Sequence, residues 1–154
     1  MTTTTATARS TASPRRVVVQ PHSGVALLAL CTLGAGLTIA SGAIHLDLWN
    51  SFYRHIHTGH MNDLFLVQWI LCFVGGAALL AMRNLLAVVA NAALLAGTFI
   101  GFLIAKYHQG GLFGFAIPGF SSWQTRWTTG TEIAGTVILL VTAVMMVRAQ
   151  RARR

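Results

Sequence analysis

Charged side chains are what this sequence has least of. Asp, Glu, Lys and Arg make up 9% of its 154 residues, against about 25% in an ordinary soluble domain. Only Asp47, Asp63 and Glu132 are acidic. With so few charges and 55% apolar residues, a solvated surface cannot be assembled, which excludes an ordinary soluble fold. Cysteine is nearly missing too. Cys31 and Cys72 form no CxxC, and each falls inside an apolar run. That disfavours a disulfide scaffold and a membrane thiol oxidoreductase, which needs cysteine pairs at the outer face; a buried free thiol acts as a small hydrophobe. There is no GxSxG, and no carboxylate on the face expected to be cytoplasmic. A hydrolase and a phospholipid enzyme with an acidic metal cluster both lack their parts. No catalytic residue is predicted, and enzyme activity is not expected.

What the sequence does have is long stretches free of charge. Residues 24–46, 64–82, 84–105 and 133–147 contain no Asp, Glu, Lys or Arg, and the last run extends back to 129 if Glu132 sits at the interface. Each then approaches the ~20 residues a helix needs to cross hydrocarbon. The expected fold is an all-α membrane protein: an up-down bundle of four transmembrane helices (about 24–46, 64–82, 84–105 and 129–147) with an irregular outer cap. This membrane domain spans 24–148. A Thr/Ala/Ser-rich leader, 1–23, precedes it with nothing to pack and is expected to be disordered; a basic tail, 149–154, follows. The first run is longer than the ~7–15-residue core of a secretory signal, so an uncleaved span is expected. Only Arg83 and Asn84 separate runs two and three, which forces those helices to be antiparallel neighbours.

The net charge of +8 is placed by the membrane rather than by nucleic acid, which is not an expected partner. Arg9, Arg15, Arg16, Arg83, Arg148, Arg151, Arg153 and Arg154 fall on one side of the runs; Arg54, Lys106 and Arg126 fall on the other. Basic residues near helix ends favour the cytoplasm. Both termini are therefore expected there, in a multi-pass protein of the plasma membrane, with the tail against anionic headgroups. Trp49, Trp123, Trp127, Tyr53 and Tyr107 crowd the opposite side, where aromatic rings anchor an interface. The apolar segment 110–120 holds four glycines and Pro118. It is too short to cross and is expected to cap the bundle as irregular backbone supported by protein.

Candidate chemistry gathers on that outer side. His55, His57 and His60 stand within six residues, with Met61 beside them and Asp47 and Asp63 flanking. Imidazole and thioether ligands point to copper or zinc, and clustered imidazoles also titrate near neutrality. His45 and His108 fall at similar depth and are the candidate axial pair for a heme. No cofactor is expected on the leading reading, with heme or copper/zinc as the alternative. A carboxylate deep inside a helix, the mark of coupled transport, is not expected, because all three acids read as lying near outer ends. Helix three carries Ala93, Gly97, Gly101 and Ala105 at every fourth position, an expected helix-packing seam, internal or between copies. Gly36 and Ala40 in helix one, and Gly75 and Gly76 in helix two, offer matching small surfaces. Gln68 and Asn91 are expected to hydrogen-bond between helices.

The segments "GAIHLDLW", "YRHIHTGHMNDLFLVQ", "GLFGF" and "TEIAGTVILL" resemble a group of uncharacterised small four-span integral membrane proteins of actinobacteria. The matching positions are His45, Leu46, Leu48, Trp49, Tyr53, Arg54, Ile56, Gly59, Leu64, Phe65, Leu66, residues 111–115 and Glu132. The resemblance implies a four-span architecture over about residues 40–140 and no established activity. In that group His57 and His60 are often replaced by Pro or other non-ligands. The resemblance therefore favours Trp49, Tyr53, Arg54 and Glu132 as the shared cap, together with His45, and Arg54 and Glu132 are expected to pair across the bundle mouth. The function so read is an accessory, scaffold or interaction subunit of a membrane assembly. Its partners are the bilayer and either other subunits or a second copy. A redox or metal-handling protein is the alternative, and a small oligomeric transporter the third reading. Topology is directly testable: a green fluorescent protein fused after Arg154 should fluoresce, and alkaline phosphatase fused there should be inactive.

Overall fold

The computed structural model describes residues 22–55, 60–112 and 122–154, with residues 22 and 23 described by their backbone alone. The leader through residue 21, His57, and most of the 110–120 segment lie outside the described residues. Four helices carry the chain: α1 (His22–Ser51), α2 (Met61–Met82), α3 (Leu85–Tyr107) and α4 (Trp123–Arg151), with a 3-10 turn at Tyr53–His55 after α1. All four are long and apolar enough to cross a membrane. In hydrocarbon every backbone N–H and C=O must be satisfied within the chain, and a helix does this segment by segment. The protein is an all-α, four-helix, multi-pass membrane protein.

Two of the helices outrun the apolar stretches that announce them. α1 continues through Asp47–Ser51 and α4 begins at Trp123 rather than near 129. Apolarity marks hydrocarbon depth, whereas helix ends are set by caps. Ser122 supplies one: its hydroxyl accepts the Thr125 N–H at 3.2 Å. The reversal between α2 and α3 is completed by two residues. Arg83 turns left-handed at φ 45° and donates its N–H to the Leu79 carbonyl. Asn84 then caps α3, its Oδ1 accepting the Ala87 N–H at 2.8 Å.

Around the ring the order is α1, α2, α3, α4, with α4 returning against α1. α1 is gripped on both flanks. A Cβ added to Gly42 would lie 2.7 Å from Cys72 Cβ and 3.3 Å from the Trp69 carbonyl oxygen; one on Gly76 would lie 3.3 Å from the Ala35 carbonyl. Such sites admit only glycine, so the α1 and α2 backbones approach closely. Gly34 and Gly135 do the same between α1, α3 and α4, against the side chains of Leu139 and Leu95. Gly36, expected to offer a small surface, faces open space.

α2 and α3 make the sparsest contacts of the neighbouring pairs. Hydrogen bonds bridge them at two depths. Asn91 Nδ2 donates to the Gly75 carbonyl at 3.0 Å, and Gln68 Nε2 donates to the Thr98 hydroxyl, as expected of these two polar residues. The apolar core lies toward the Arg83–Asn84 end: Cys31 and Ala35 of α1, Leu79 of α2, Ala87, Val88, Ala92 and Leu95 of α3, and Leu139 of α4. Both cysteines are free and buried. The other end, carrying the longer connections, is packed differently. Replacing Gly42 by Ala should cost roughly 1–3 kcal/mol through overpacking, while Gly97→Ala, whose Cβ would meet nothing within 4 Å, should stay within about 0.5 kcal/mol. Unfolding of each variant in mixed micelles, titrated with sodium dodecyl sulfate, measures the difference.

Candidate functional site

At the long-connection end the four helices border an open-sided cavity of about 670 Å³. Its walls are mostly apolar and aromatic: Phe52, Tyr53, Phe65 and Phe102 among them. The stripe Ala93, Gly97, Gly101 and Ala105 lines it on the α3 side. A Cβ on Gly97 would meet nothing within 4 Å and one on Gly101 only Leu112 Cδ2, at 3.8 Å, whereas Ala105 is buried. Small residues here leave volume. A second recess of about 380 Å³ continues along the α2–α3 crevice between Leu71, Val74, Gly75, Ala90 and Asn91, sharing Leu94 with the first.

Two ionisable side chains face each other in the cavity wall. Glu132 is 1% exposed, and its Oε1 lies 3.8 Å from Nε2 of His45, itself 5% exposed. Glu132 is the tenth residue of α4, which at 1.5 Å per residue puts it about 13 Å along the helix from Trp123. The expectation that no carboxylate lies at depth is thus overturned. The acid interrupts the apolar run in sequence, but it turns toward the bundle axis and not to the interface. Among the described residues, neither Glu132 oxygen has a hydrogen-bond partner, nor does the Thr128 hydroxyl one turn earlier. Isolated charge is expensive in such surroundings, so a buried carboxylate is normally paired or protonated.

The imidazole is oriented by its own helix. His45 Nδ1 lies 2.8 Å from the Ser41 carbonyl oxygen. A carbonyl only accepts, so Nδ1 carries the hydrogen and Nε2 is the nitrogen turned to Glu132. On its other side the His45 ring packs against Phe65, centroids 5.3 Å apart. Phe65 stacks on Tyr53 at 3.8 Å, and Tyr53 meets Phe52 edge-on at 5.1 Å. Tyr53 is buried in this column rather than lying at the interface, and burial raises its phenol above the ordinary value, keeping it protonated.

The other candidates lie apart from this wall. Arg54 is exposed and its Nε donates to His55 Nε2 at 3.0 Å; it forms no pair with Glu132, whose partner is His45. His60 takes a left-handed φ of 60° before α2 and lies 3.5 Å from Asp63, both exposed. Among the described residues, no group of three His, Cys, Asp or Glu is placed to hold a metal ion. His108 is exposed at the end of α3 and does not line the cavity. Trp49 Nε1 donates to Asn62 Oδ1 at 2.6 Å, tying the end of α1 to the start of α2. Trp123, Trp127 and Tyr107 are exposed, as interface anchors would be.

No family model, curated protein or solved structure matches this chain. The site must therefore be read from its own residues. Its signal was present in the sequence as helical periodicity: Ser41 and His45 share one face of α1, and Thr128, Glu132 and Thr136 one face of α4. In hydrocarbon, a helix face combining hydroxyls with an ionisable group belongs inside the bundle. A double-mutant cycle separates the pairings. His45→Gln and Glu132→Gln should show a coupling of about 1 kcal/mol or more in unfolding free energy, whereas Arg54→Ala and Glu132→Gln should be additive within about 0.5 kcal/mol.

Proposed function

We propose that this protein is a membrane-embedded binding protein, without a catalytic centre, that receives an amphipathic small molecule in the cavity between its helices. The cavity carries this reading. Its volume lies in the range of small-molecule sites, about 300–1,000 Å³, and an apolar, aromatic lining with a few convergent polar groups is what such sites share. His45, Thr128 and Glu132 would meet a polar head, and the α2–α3 crevice would take an apolar tail. Such a protein acts as an accessory subunit, holding a ligand for a partner in the same membrane. The actinobacterial resemblance supports the four-span frame and supplies no activity.

The depth of Glu132 supplies the carboxylate that a transporter needs. The packing toward the Arg83–Asn84 end favours binding over passage, because Leu79, Val88, Leu95 and Leu139 are each fully buried there. With both termini in the cytoplasm, the cavity belongs to the extracellular half of the bilayer. The arginine distribution supports that placement.

A photoactivatable diazirine analogue of decanol, mixed with the protein in liposomes, tests the cavity. Labelling of α2 and α3 should saturate and be competed by unlabelled decanol. Gly97→Phe, which fills the cavity from a position with open space in front of it, should reduce competable labelling about tenfold or more, a loss of about 1.4 kcal/mol. Labelling that neither saturates nor responds to Gly97→Phe would remove the reading.

A further inference from the structure

The wall of the cavity also restricts which amphipathic molecule fits, given that the cavity is a binding site at all. With Nδ1 hydrogen-bonded to the Ser41 carbonyl, a neutral His45 presents the Nε2 lone pair toward Glu132. An ionised Glu132 presents lone pairs in return. Two acceptors then face each other at 3.8 Å, which is unfavourable unless a positively charged donor joins them. One proton resolves the conflict by residing on either group. An alkylammonium group resolves it equally well, since its N–H bonds can be accepted by the Glu132 carboxylate and His45 Nε2, with the Thr128 hydroxyl, which has no partner among the described residues, as a third acceptor.

The surroundings agree on the sign of the charge. Among the described residues no Lys or Arg lines the cavity, and an ionised Glu132 would repel an anion. Among the described residues, the titratable groups lining the site are His45 from α1 and Tyr53 from the 3-10 turn; Cys72 of α2 is not in the lining but lies within electrostatic reach of Glu132. α3 contributes none to the lining, and α4 contributes Glu132 itself. Aromatic rings from three elements, Phe52 and Tyr53, Phe65, and Phe102, provide faces that attract a cation and cover an apolar body.

We infer that the cavity is a site for a lipophilic amine, bound as its ammonium ion in exchange for one proton. The exchange balances: the protonated His45–Glu132 pair takes up one alkylammonium ion and releases one proton to water, and the site is neutral before and after. Ligand affinity should therefore rise with pH, up to about tenfold per unit, for as long as the free site holds its proton. A neutral alcohol of the same length shows no such dependence, because it displaces no proton.

Titration calorimetry of the full-length protein in nanodiscs of uncharged lipid tests this, with empty nanodiscs subtracted. The ligands are decylamine, decyltrimethylammonium and decanol, each in two buffers of different ionisation enthalpy. Decylamine should bind about tenfold or more tighter than decanol, as charge-assisted hydrogen bonds imply, and release one proton per molecule bound. Glu132→Gln should bind amine and alcohol alike and release none. Equal binding of decylamine and decanol to the wild type, with no proton released, overturns the amine assignment while the cavity reading survives. Equal binding of decyltrimethylammonium, which has charge but no N–H, overturns recognition through hydrogen bonds. Failure of all three to bind saturably removes the cavity reading itself. Should Glu132→Gln not fold, the wild-type proton count and pH dependence decide alone.

Discussion

The close approach of α1 to both of its neighbours governs the rest of the molecule. Lipid offers no hydrophobic force to bring helices together, so association rests on packing of small residues and on polar bonds. α1 uses both flanks for this, with Gly42 set against α2 and Gly34 facing Leu139 of α4. Two consequences follow. His45, projecting from α1 toward α4, is brought to Glu132. And α3 closes the ring with Gly97 facing open space, which leaves a cavity beside it. The polar bonds of Asn91 and Gln68 then fix how far α2 and α3 stand apart.

Much of this frame is legible in the sequence. The charge-free runs, the two-residue reversal at Arg83 and Asn84, the burial of both cysteines and the interhelical bonds of Gln68 and Asn91 all follow from local chemistry. The site does not, for a physical reason. A lone carboxylate next to an apolar run has two favourable environments, the interface and a paired position in the bundle, and run length alone assigns it to the first. Helical periodicity would have assigned it to the second, because Thr128, Glu132 and Thr136 repeat at one-turn intervals. The four-residue period of Ala93, Gly97, Gly101 and Ala105 was equally ambiguous. Small residues permit close packing but do not require it, and whether they face a helix or a void depends on what the other helices have already claimed. The histidines of the first connection draw attention by number, yet His45, isolated inside an apolar run, is the one whose environment a bilayer constrains.

The bundle is thus divided along its length. Toward the short turn, apolar side chains fill the bundle axis and the recess is confined to the α2–α3 crevice; toward the long connections, aromatic rings and an acid–imidazole pair border open space. Ligand sites commonly come at a cost in stability, since a wall that must meet a ligand cannot also be filled by the protein's own side chains. Here the dense half compensates, and the stacked Phe65 and Tyr53 with the Trp49–Asn62 bond hold the mouth in place where apolar packing is thinnest.

The left-handed Arg83 turn has a mechanical corollary. Two residues joining α2 to α3, capped on both sides, act as the spring of a pair of tweezers: the arms can spread only at their tips, beyond the Gln68–Thr98 bond. Breathing of the bundle would therefore widen the mouth and leave the far end shut. A molecule held at Glu132 would enter and depart by the same door, and the protein would behave as a pouch rather than a corridor.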